Sequence, residues 1–465
     1  MNITWGRVLL LLALVTGGIR VFAQEQHTPS ITVEDRVTAL EKRIRALEAK
    51  RGVTGAEINS AVSVEERIAA LEQRLTDLDS RADMQVASVS QTPVPPAQTP
   101  NQGSAVFSVT PAAASESDQM FTPPYAGYME THLNGARGEP TLFDFHRFVM
   151  VFGHSFSPRL KFWSELEIEH AFIEGRERGG EISLEQAFLD MYLRPEISLR
   201  GGILLAPVGI VNERHEPPSF FGVERPFVDT VIIPSTWFDA GFGIYGDLGR
   251  GFNYKLYAMA PPDATRFSAD EGIRGGRQRA LFSVVNSPGV TGRLEYRGIR
   301  RLTLGTSFFS GNTGFQLRDL DPRLNLFEFD GRYRYRRAEF RGEFAQYWLS
   351  RTGELNRTLE QQTGVNPNIG KSALGYYLEA AYHLLPPETG GDVAPFFRYE
   401  RFNTQHRMAD SFAPFPQFDR TASTLGLTYR PHPDVALKLD YQFLRNRSDV
   451  FPIFNRVNAG IGWWF

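Results

Sequence analysis

Apolar and charged residues alternate along much of the chain. The segment FEFDGRYRYRR (residues 327–337) places Phe327, Phe329, Tyr333 and Tyr335 at every second position, with charges or glycine between them. Successive side chains of an extended strand point to opposite faces, so a period of two indicates a strand with an aromatic face and a charged face. One such strand also fits a soluble sheet whose charged face meets bulk water, and the rest of the chain has to decide.

The alternation recurs in many segments up to the C-terminus, among them LKFWSELEIEH, VTGRLEYRG, AEFRGEFAQYW, LGYYLEAAYHL, VALKLDYQF and RVNAGIGWWF. We count sixteen strands, which begin near residues 125, 141, 159, 182, 197, 237, 252, 288, 301, 325, 337, 372, 393, 420, 434 and 456. Strands of about ten residues, short joints alternating with long ones, and aromatic residues on the apolar face are typical of outer-membrane barrels. A sheet in lipid must close, because open edges leave backbone groups unpaired.

The predicted fold of residues 125–465 is therefore all-β: a transmembrane antiparallel β-barrel of about sixteen strands. Its aromatic side chains face lipid, and its charged side chains line a water-filled lumen. An even number of strands returns both ends of the barrel to the same side of the membrane, which suits an N-terminal extension in the periplasm.

The first 124 residues show a different pattern. Arg7, the apolar run VLLLLALV and a Val21-Phe22-Ala23 cleavage pattern predict a signal peptide over residues 1–23. Heptad spacing in VEDRVTALEKRIRALEAK and VEERIAALEQRLTDL predicts an α-helical coiled coil over residues 24–81. Its repeated Arg-apolar-x-x-apolar-Glu element resembles a trimer-favouring motif, and an intrachain helical hairpin remains open. Residues 82–124, rich in Pro, Ser and Ala, predict a disordered linker.

Composition narrows the function classes. The chain has 465 residues, a net charge of −3 and no cysteine, so nucleic acid is not an expected partner and thiol chemistry is excluded. The nine histidines are scattered, and neither a His-Glu-x-x-His nor a Gly-x-Ser-x-Gly motif is present. We therefore expect no enzymatic activity, no metal and no cofactor.

Several segments resemble the phosphate-selective porin O/P family of outer-membrane channels, over about residues 120–465. They are FDFHRFVMVFGHSF, FWSELEIEHA, APVGIVNERHEPPSFFGVERP, IIPSTWFDAGFGIYG, VTGRLEYRGI and GLTYRPHPDVALKLDYQ. The resemblance implies a sixteen-stranded trimeric channel for passive uptake of small solutes. Phosphate channels of that family use Lys beside Arg along the permeation path, whereas only Lys161, Lys255, Lys371 and Lys438 follow residue 125 here. Phosphate selectivity therefore does not follow from the resemblance.

The longest well-patterned connection is VNERHEPPSFFGVERPFVDTVIIPSTW (residues 211–237). In sixteen-stranded porins the loop after the fifth strand folds inward and narrows the pore, and this segment occupies that place. The alternative is a surface loop that packs against a neighbouring protomer. The expected pore-lining and constriction residues are Glu213, Arg214, Glu216, Glu224, Arg225, Arg293, Arg297, Arg332, Arg334, Arg341, Glu165 and Glu167. The strand charges also allow simple neutralisation, for example of Arg341 by Glu328 or Asp330.

The expected function is an outer-membrane porin, a passive diffusion channel for small hydrophilic solutes, with anions such as phosphate among the candidates. The alternative is a structural anchor that braces the envelope through the coiled coil. The expected location is the outer membrane of a Gram-negative bacterium, with a periplasmic N-terminal extension. The expected partners are outer-membrane lipid, lipopolysaccharide and two further copies in a homotrimer. Phe465 resembles the terminal aromatic residue by which the barrel-assembly machinery recognises its clients.

Overall fold

A computed structural model describes residues 125–170, 181–315, 317, 320–385, 391–451 and 453–465. The predicted signal peptide, coiled coil and linker lie outside the described residues. No helix in the described part of the chain is both long and apolar enough to cross a membrane.

The described residues form one closed barrel of sixteen antiparallel strands, each hydrogen-bonded to its two neighbours, with β1 paired to β16. The strands are β1 (Tyr125–Ala136), β2 (Leu142–Ser157), β3 (Leu160–Glu169), β4 (Glu181–Arg194), β5 (Ile197–Leu205), β6 (Phe238–Gly249), β7 (Phe252–Met259), β8 (Gly289–Tyr296), β9 (Leu302–Asn312), β10 (Arg323–Tyr335), β11 (Ala338–Leu349), β12 (Ser372–Tyr382), β13 (Asp392–Arg407), β14 (Asp419–His432), β15 (Val435–Asn446) and β16 (Arg456–Trp464). The sixteen-stranded prediction is confirmed, and every predicted start lies within two residues of the observed one.

The two faces of the wall are reversed relative to a soluble sheet. On β10 the side chains of Phe327 and Phe329 are 46% and 50% exposed, whereas Glu328 and Asp330 are fully buried inside the barrel. Apolar side chains on many other strands are likewise exposed, among them Leu189, Leu256, Phe308, Leu378, Leu425 and Phe443. An apolar outer face and a polar interior are the surfaces that a membrane-spanning barrel requires.

Short and long connections alternate around the barrel, so one end carries mostly tight turns, with residues 383–391 as a longer connection, and the other end carries the long loops. Arg336 and Arg337 form one of the tight turns. The alternating pattern predicts a strand through Arg336, but β10 ends at Tyr335 because Arg336 adopts the left-handed φ of 54° that reverses the chain. Both Tyr125 and Phe465 lie at the tight-turn end.

The long-loop end carries the described helical segments outside the β5–β6 connection: the helix α1 (Thr352–Thr363) and 3-10 turns at Ala264–Arg266, Arg274–Gly276 and Pro416–Phe418. The connection from β5 to β6, residues 206–237, is here called the inward loop. It contains a 3-10 turn (Pro217–Ser219) and a π-helical turn (Val228–Ile232).

The inward loop occupies the interior of the barrel. Its residues Val228, Ile232 and Trp237 are buried in one hydrophobic cluster with wall residues such as Leu326 and Tyr377. At Gly375 of β12 an added Cβ would lie 2.7 Å from Ile232 Cγ1, so the wall needs a glycine where the π-helical turn approaches it.

Candidate functional site

Asn212 joins the two ends of the inward loop. Its Nδ2 donates to the carbonyls of Ala206 (2.7 Å) and Trp237 (3.0 Å), and its Oδ1 accepts from the Trp237 N–H (2.7 Å). The side chain is fully buried, so these bonds satisfy backbone groups that water does not reach. Sequence reasoning missed this residue, because one Asn in a loop gives no signal of its partners.

Carboxylates on the far wall accept backbone N–H groups of the inward loop. Asp440 of β15 accepts from Val223 (2.7 Å), and Glu400 of β13 accepts from Phe227 (2.7 Å). Glu343 of β11 similarly accepts from Ile210 (3.2 Å). The charged side chains inside the barrel thus hold the inward loop in place across the barrel, in addition to keeping the interior hydrated.

Two basic side chains of the wall bind the loop carbonyls in the same way. Lys438 Nζ donates to Gly222 (2.8 Å), and Arg398 donates to Glu224 O (3.4 Å) while it pairs with Glu400 (2.8 Å) and Glu379 (3.2 Å). Arg398 is fully buried, so its charge depends on these two carboxylates.

The inward loop borders two cavities. The long-loop cavity, of about 230 Å³, lies toward the long loops and is lined by Glu167, Glu224 and Arg225 of the expected site. The short-turn cavity, of about 260 Å³, lies toward the tight turns. The expected site residues that line the short-turn cavity are Glu213, Arg214, Arg293, Arg297 and Arg332.

The other expected residues lie elsewhere. Arg334 and Arg341 line a third cavity of about 370 Å³ near the tight turns. Glu165 is buried against the inward loop, 3.5 Å from His215. Glu216 precedes the Pro217–Ser219 turn, where its carbonyl accepts the Ser219 hydroxyl at 2.7 Å.

Basic side chains outnumber acidic ones in the short-turn cavity. Its acidic residues are Asp190, Glu213 and Glu295, and its arginines are Arg200, Arg214, Arg293, Arg297 and Arg332, with Lys161 and Lys255 in addition. Lys255 pairs with Glu213 at 2.5 Å and Arg200 with Asp190 at 2.7 Å. Glu295 is shared by Arg293, Arg297 and Arg332, which leaves a net positive lining.

The ion pairs differ from those expected for neutralisation. Glu328 and Asp330 pair with Arg293 at 3.3 and 2.6 Å, and the expected pairing of either residue with Arg341 is wrong. Arg341 instead binds Glu339 (2.7 Å) and lies 3.9 Å from Glu379, its direct partner across β11 and β12.

Three arginines beside the long-loop cavity bind oxygens that carry no full charge. Arg225 donates to Thr236 Oγ1 (3.1 Å) and His215 O (3.1 Å). Arg274 donates to Thr230 O (3.0 Å), and Arg277 donates to Thr236 O (2.6 Å). Burial, and to a smaller extent the neighbouring guanidinium groups, lowers the pKa of each of these arginines.

Glu224 supplies the negative side of the same cavity. It accepts from Asn134 Nδ2 at 2.8 Å and lies 3.2 Å from His132 Nδ1. Burial alone raises the pKa of Glu224, but the contact with His132 outweighs burial and lowers the pKa to about 2. Glu224 is therefore ionised over the physiological pH range.

Asp229, in the π-helical turn of the inward loop, places its carboxyl group close to the carboxyl group of Glu343 on β11. Both groups surround Gly209, where an added Cβ would lie 2.6 Å from Glu343 Oε1 and 3.3 Å from Asp229 Oδ1. Burial, together with the nearby carboxylates of Glu400 and Glu328, raises the pKa of Asp229 to about 8. The Asp229 carboxyl is thus a proton-bearing group at neutral pH.

His215 of the inward loop lies between two wall carboxylates, 3.0 Å from Glu185 Oε2 and 3.5 Å from Glu165 Oε1. Burial lowers the pKa of His215, but the carboxylates of Glu185 and Glu165 outweigh burial and raise it to about 10. The sequence does not indicate the partners of His215, because Glu165 and Glu185 lie on strands distant from it in sequence.

The chain is 35% identical, over 325 residues, to an uncharacterized protein of Aquifex aeolicus (strain VF5), a match that covers 68% of this chain and 74% of the relative. The chain belongs to the same family as that protein. No family model matches the chain.

Solved structures of two outer-membrane proteins are similar to part of this chain. An anion-selective porin from Comamonas acidovorans is 15% identical with a TM-score of 0.47, covering 73% of this chain and 98% of that one. The outer membrane channel DcaP of Acinetobacter baumannii is 13% identical with a TM-score of 0.49, covering 73% and 96%. The strand count, pairing and closure of the barrel are seen directly in the structure of this chain.

Proposed function

We propose that the protein is an outer-membrane porin, a passive diffusion channel for small hydrophilic solutes. The observation that carries the proposal is the reversal of the two faces: apolar side chains cover the outside of a closed barrel, and charged side chains line its interior. A barrel of this kind is stable only with lipid outside and water inside.

In this proposal the inward loop is the constriction. It lies between the long-loop cavity and the short-turn cavity, and Glu213, Arg214, Glu224 and Arg225 project from it into one or the other. A solute would pass Glu167 on the wall, then the loop, and then Arg293, Arg297, Arg332, Arg334 and Arg341 on the wall near the tight turns.

The arrangement of charge favours anions over cations of the same size. The short-turn cavity has a net positive lining, whereas the long-loop cavity is lined by equal numbers of glutamates and arginines, so the preference is assigned to the short-turn cavity. Arginine pairs well with the oxygens of phosphate and carboxylate groups. We therefore propose small anions, phosphate among them, as the preferred solutes.

Planar-bilayer recording of the purified protein tests this function. We expect ion-conducting steps, and a reversal potential in a KCl gradient that corresponds to chloride permeating faster than potassium. The variants Arg214→Gln and Arg332→Gln should each shift the reversal potential toward zero, the value of a channel without ion selectivity. Each variant removes a positive charge from the short-turn cavity. Arg300→Gln, in the exposed turn after β8, is the matched control and should leave the potential unchanged.

A barrel that folds and inserts but conducts nothing would contradict the channel and favour the structural anchor. Conduction with a preference for cations would keep the channel and contradict the anion preference. Phosphate is tested separately, as a block of chloride current by added phosphate.

The location and the assembly belong to the same proposal. We place the protein in the outer membrane, among phospholipid and lipopolysaccharide, as a homotrimer inserted by the barrel-assembly machinery. Native mass spectrometry of the full chain in detergent tests the trimer, and deletion of residues 24–81 tests whether the predicted coiled coil holds it together. Persistence of the trimer after this deletion would assign trimerisation to the barrel.

A further inference from the structure

Three metal-binding side chains meet where the inward loop contacts the wall. Glu165 comes from β3, Glu185 from β4 and His215 from the loop. Their exposed fractions are 5%, 2% and 2%, and their donor atoms all lie within 4.8 Å of one another. His215 Nε2 is 3.0 Å from Glu185 Oε2 and 3.5 Å from Glu165 Oε1.

A β-bulge directs Glu185 into this group. Glu165 pairs with Gln186 and Leu166 pairs with Leu184, so Glu185 is the extra residue of β4 at that point. A bulge re-aims the side chain of the extra residue, and here it turns Glu185 toward His215. Two neighbouring strands thereby present carboxylates to one imidazole.

We propose that Glu165, Glu185 and His215 bind a divalent transition-metal ion of the Zn²⁺ class. One imidazole nitrogen and two carboxylates form a donor set that Zn²⁺ accepts, with a fourth position left for water. Because His215 belongs to the loop and both glutamates belong to the wall, the ion fastens the inward loop to the barrel. This proposal does not depend on which solute the barrel conducts.

Neighbouring hydrogen bonds leave suitable donor atoms facing one another. His215 Nδ1 lies 3.1 Å from the carbonyl of Asn212, to which it donates, so Nε2 faces the carboxylates. Gln186 Nε2 donates to Glu165 Oε2 at 2.6 Å, while Glu165 Oε1 faces His215. Histidine ligands in metal sites are oriented by such outer bonds, and their carboxylate co-ligands are held in the same way.

An independent observation comes from Tyr128 of β1. Its hydroxyl is buried and has no hydrogen-bond partner among the described residues. Its ring packs edge-on against His215 with centroids 6.1 Å apart. Buried polar groups rarely lack a partner, and water on the fourth position of a metal ion would supply one.

The local charge points in the same direction. The buried carboxylates of Glu130, Glu167, Glu165 and Glu185 share this region with Arg147, which pairs with Glu130 (2.8 Å) and Glu167 (3.2 Å). Glu165 and Glu185 then have one imidazole between them. A divalent ion displaces the proton from Nε2 to solvent and neutralises both carboxylates, which a singly charged imidazolium does not.

The test uses the full chain in detergent, freed of metal with a chelator and then titrated with Zn²⁺ by calorimetry and with Co²⁺ by visible absorption. We expect saturable binding with about one ion per chain and a Co²⁺ ligand-field spectrum of a nitrogen- and oxygen-bound ion. His215→Gln and Glu185→Gln should weaken Zn²⁺ binding by more than about 100-fold. Gln186→Leu should weaken it by about 10-fold, the effect of losing an outer bond.

Asp144→Asn is the matched control. Asp144, His146 and His170 form a second, partly exposed group with suitable donor atoms near the start of β2 and just after β3, and Asp144→Asn should leave Zn²⁺ binding unchanged. Heat-modified migration on gels establishes that each variant is folded. A further readout on the wild-type chain needs no variant: Zn²⁺ should slow proteolysis within the inward loop relative to chelated protein.

Three results would overturn the proposal. The first is the absence of saturable Zn²⁺ or Co²⁺ binding by the folded wild-type protein. That result would show that His215 is a protonated imidazole that forms ion pairs with Glu165 and Glu185 and binds no metal. The second is wild-type affinity in both His215→Gln and Glu185→Gln. The third is loss of binding in Asp144→Asn alone, which would assign the ion to the other group.

Discussion

Like charges lie directly opposite each other on two neighbouring strands. Asp330 of β10 faces Glu343 of β11, and Arg332 faces Arg341. Arg293 of β8 reaches over Gly305 of β9 to pair with Asp330 at 2.6 Å, while Arg341 turns to the other side and binds Glu339. Arg293 therefore neutralises a carboxylate on a strand that is not adjacent to its own, and the small residue Gly305 between them makes this contact possible.

Gly305→Ala should destabilise the barrel. An added Cβ would lie 2.1 Å from Arg293 Nη2 and 2.2 Å from Asp330 Oδ2, so the methyl group must separate the two charges. Arg293 keeps its contacts with Glu295 and Glu328, so we expect the free energy of unfolding to fall by about 1–3 kcal/mol, the range for losing one hydrogen bond between charged groups. Chemical unfolding in detergent, followed by tryptophan fluorescence, measures it.

Gly331→Ala is the matched control for that variant. Gly331 is the next residue along β10 after Asp330, and an added Cβ there would lie 3.4 Å from Leu304 Cδ2, an ordinary contact. We expect its free energy of unfolding to match that of the wild type. Equal effects of both alanines would show that strand flexibility matters here and that the Arg293–Asp330 pair does not.

The carboxyl group of Asp229 makes stability depend on pH. Its pKa is raised to about 8 in the folded chain by burial and by neighbouring carboxylates, whereas in the unfolded chain it has its usual value near 4. Between these values the folded form holds a proton that the unfolded form lacks. This group therefore makes the folded state less stable as pH rises from about 4 to 8, by at most about 1.4 kcal/mol per pH unit.

Asp229→Asn should remove that dependence, since the amide keeps the neutral form at every pH. We expect the variant to match the wild type below about pH 4 and to exceed its free energy of unfolding by a margin that grows up to about pH 8. Asp449→Asn, at an exposed position after β15, is the control and should follow the wild-type profile. A wild-type profile in Asp229→Asn would show that another group carries the pH dependence.

At the scale of elements, strands were predictable and side-chain partners were not. The period of two is long and regular, so all sixteen strand starts followed from it within two residues. The pairing of Arg341 with Glu328 or Asp330 was predicted wrongly, because ion pairs depend on strand register and on glycines such as Gly305. Asn212 and the bulge at Glu185 leave no periodic signal, although both position the inward loop.

Shortening the inward loop should enlarge the channel. We would replace residues 214–234 by a short Gly-Ser segment and keep Asn212 and Trp237, which join the loop ends. The wall strands pair only with one another, so the barrel should still close, and water should reach Glu400 and Asp440 in place of the lost N–H donors. Single-channel conductance should rise severalfold.

A matched replacement tests whether this gain comes from the inward loop itself. Exchange of residues 352–363, helix α1, for a similar Gly-Ser segment alters another long connection between β11 and β12. We expect conductance to change little in that variant. An unchanged conductance after shortening residues 214–234 would contradict the proposal that the inward loop forms the constriction.

At the scale of the whole molecule, closure of the barrel depends on the seam between β1 and β16. Phe465 extends this seam beyond the last paired strand residues: its N–H donates to Gly127 O (2.9 Å), and its carbonyl accepts from the Gly127 N–H (3.0 Å). Its ring stacks on Phe148 with centroids 5.8 Å apart and is about half exposed on the apolar face. Phe465 thus contributes to closure and is also accessible from outside.

Deletion of Phe465 separates these two roles. Loss of two backbone hydrogen bonds at the end of a seam of nine paired positions should cost only about 1–3 kcal/mol, so the purified variant should still refold and close in detergent. In cells, the same deletion should sharply lower the amount of folded protein in the outer membrane, if the terminal aromatic ring is what the assembly machinery binds. Phe465→Tyr keeps the ring and the backbone bonds and should assemble normally. Failure of the deleted chain to refold in detergent would assign Phe465 to closure alone, and normal assembly in cells would exclude it as the recognition signal.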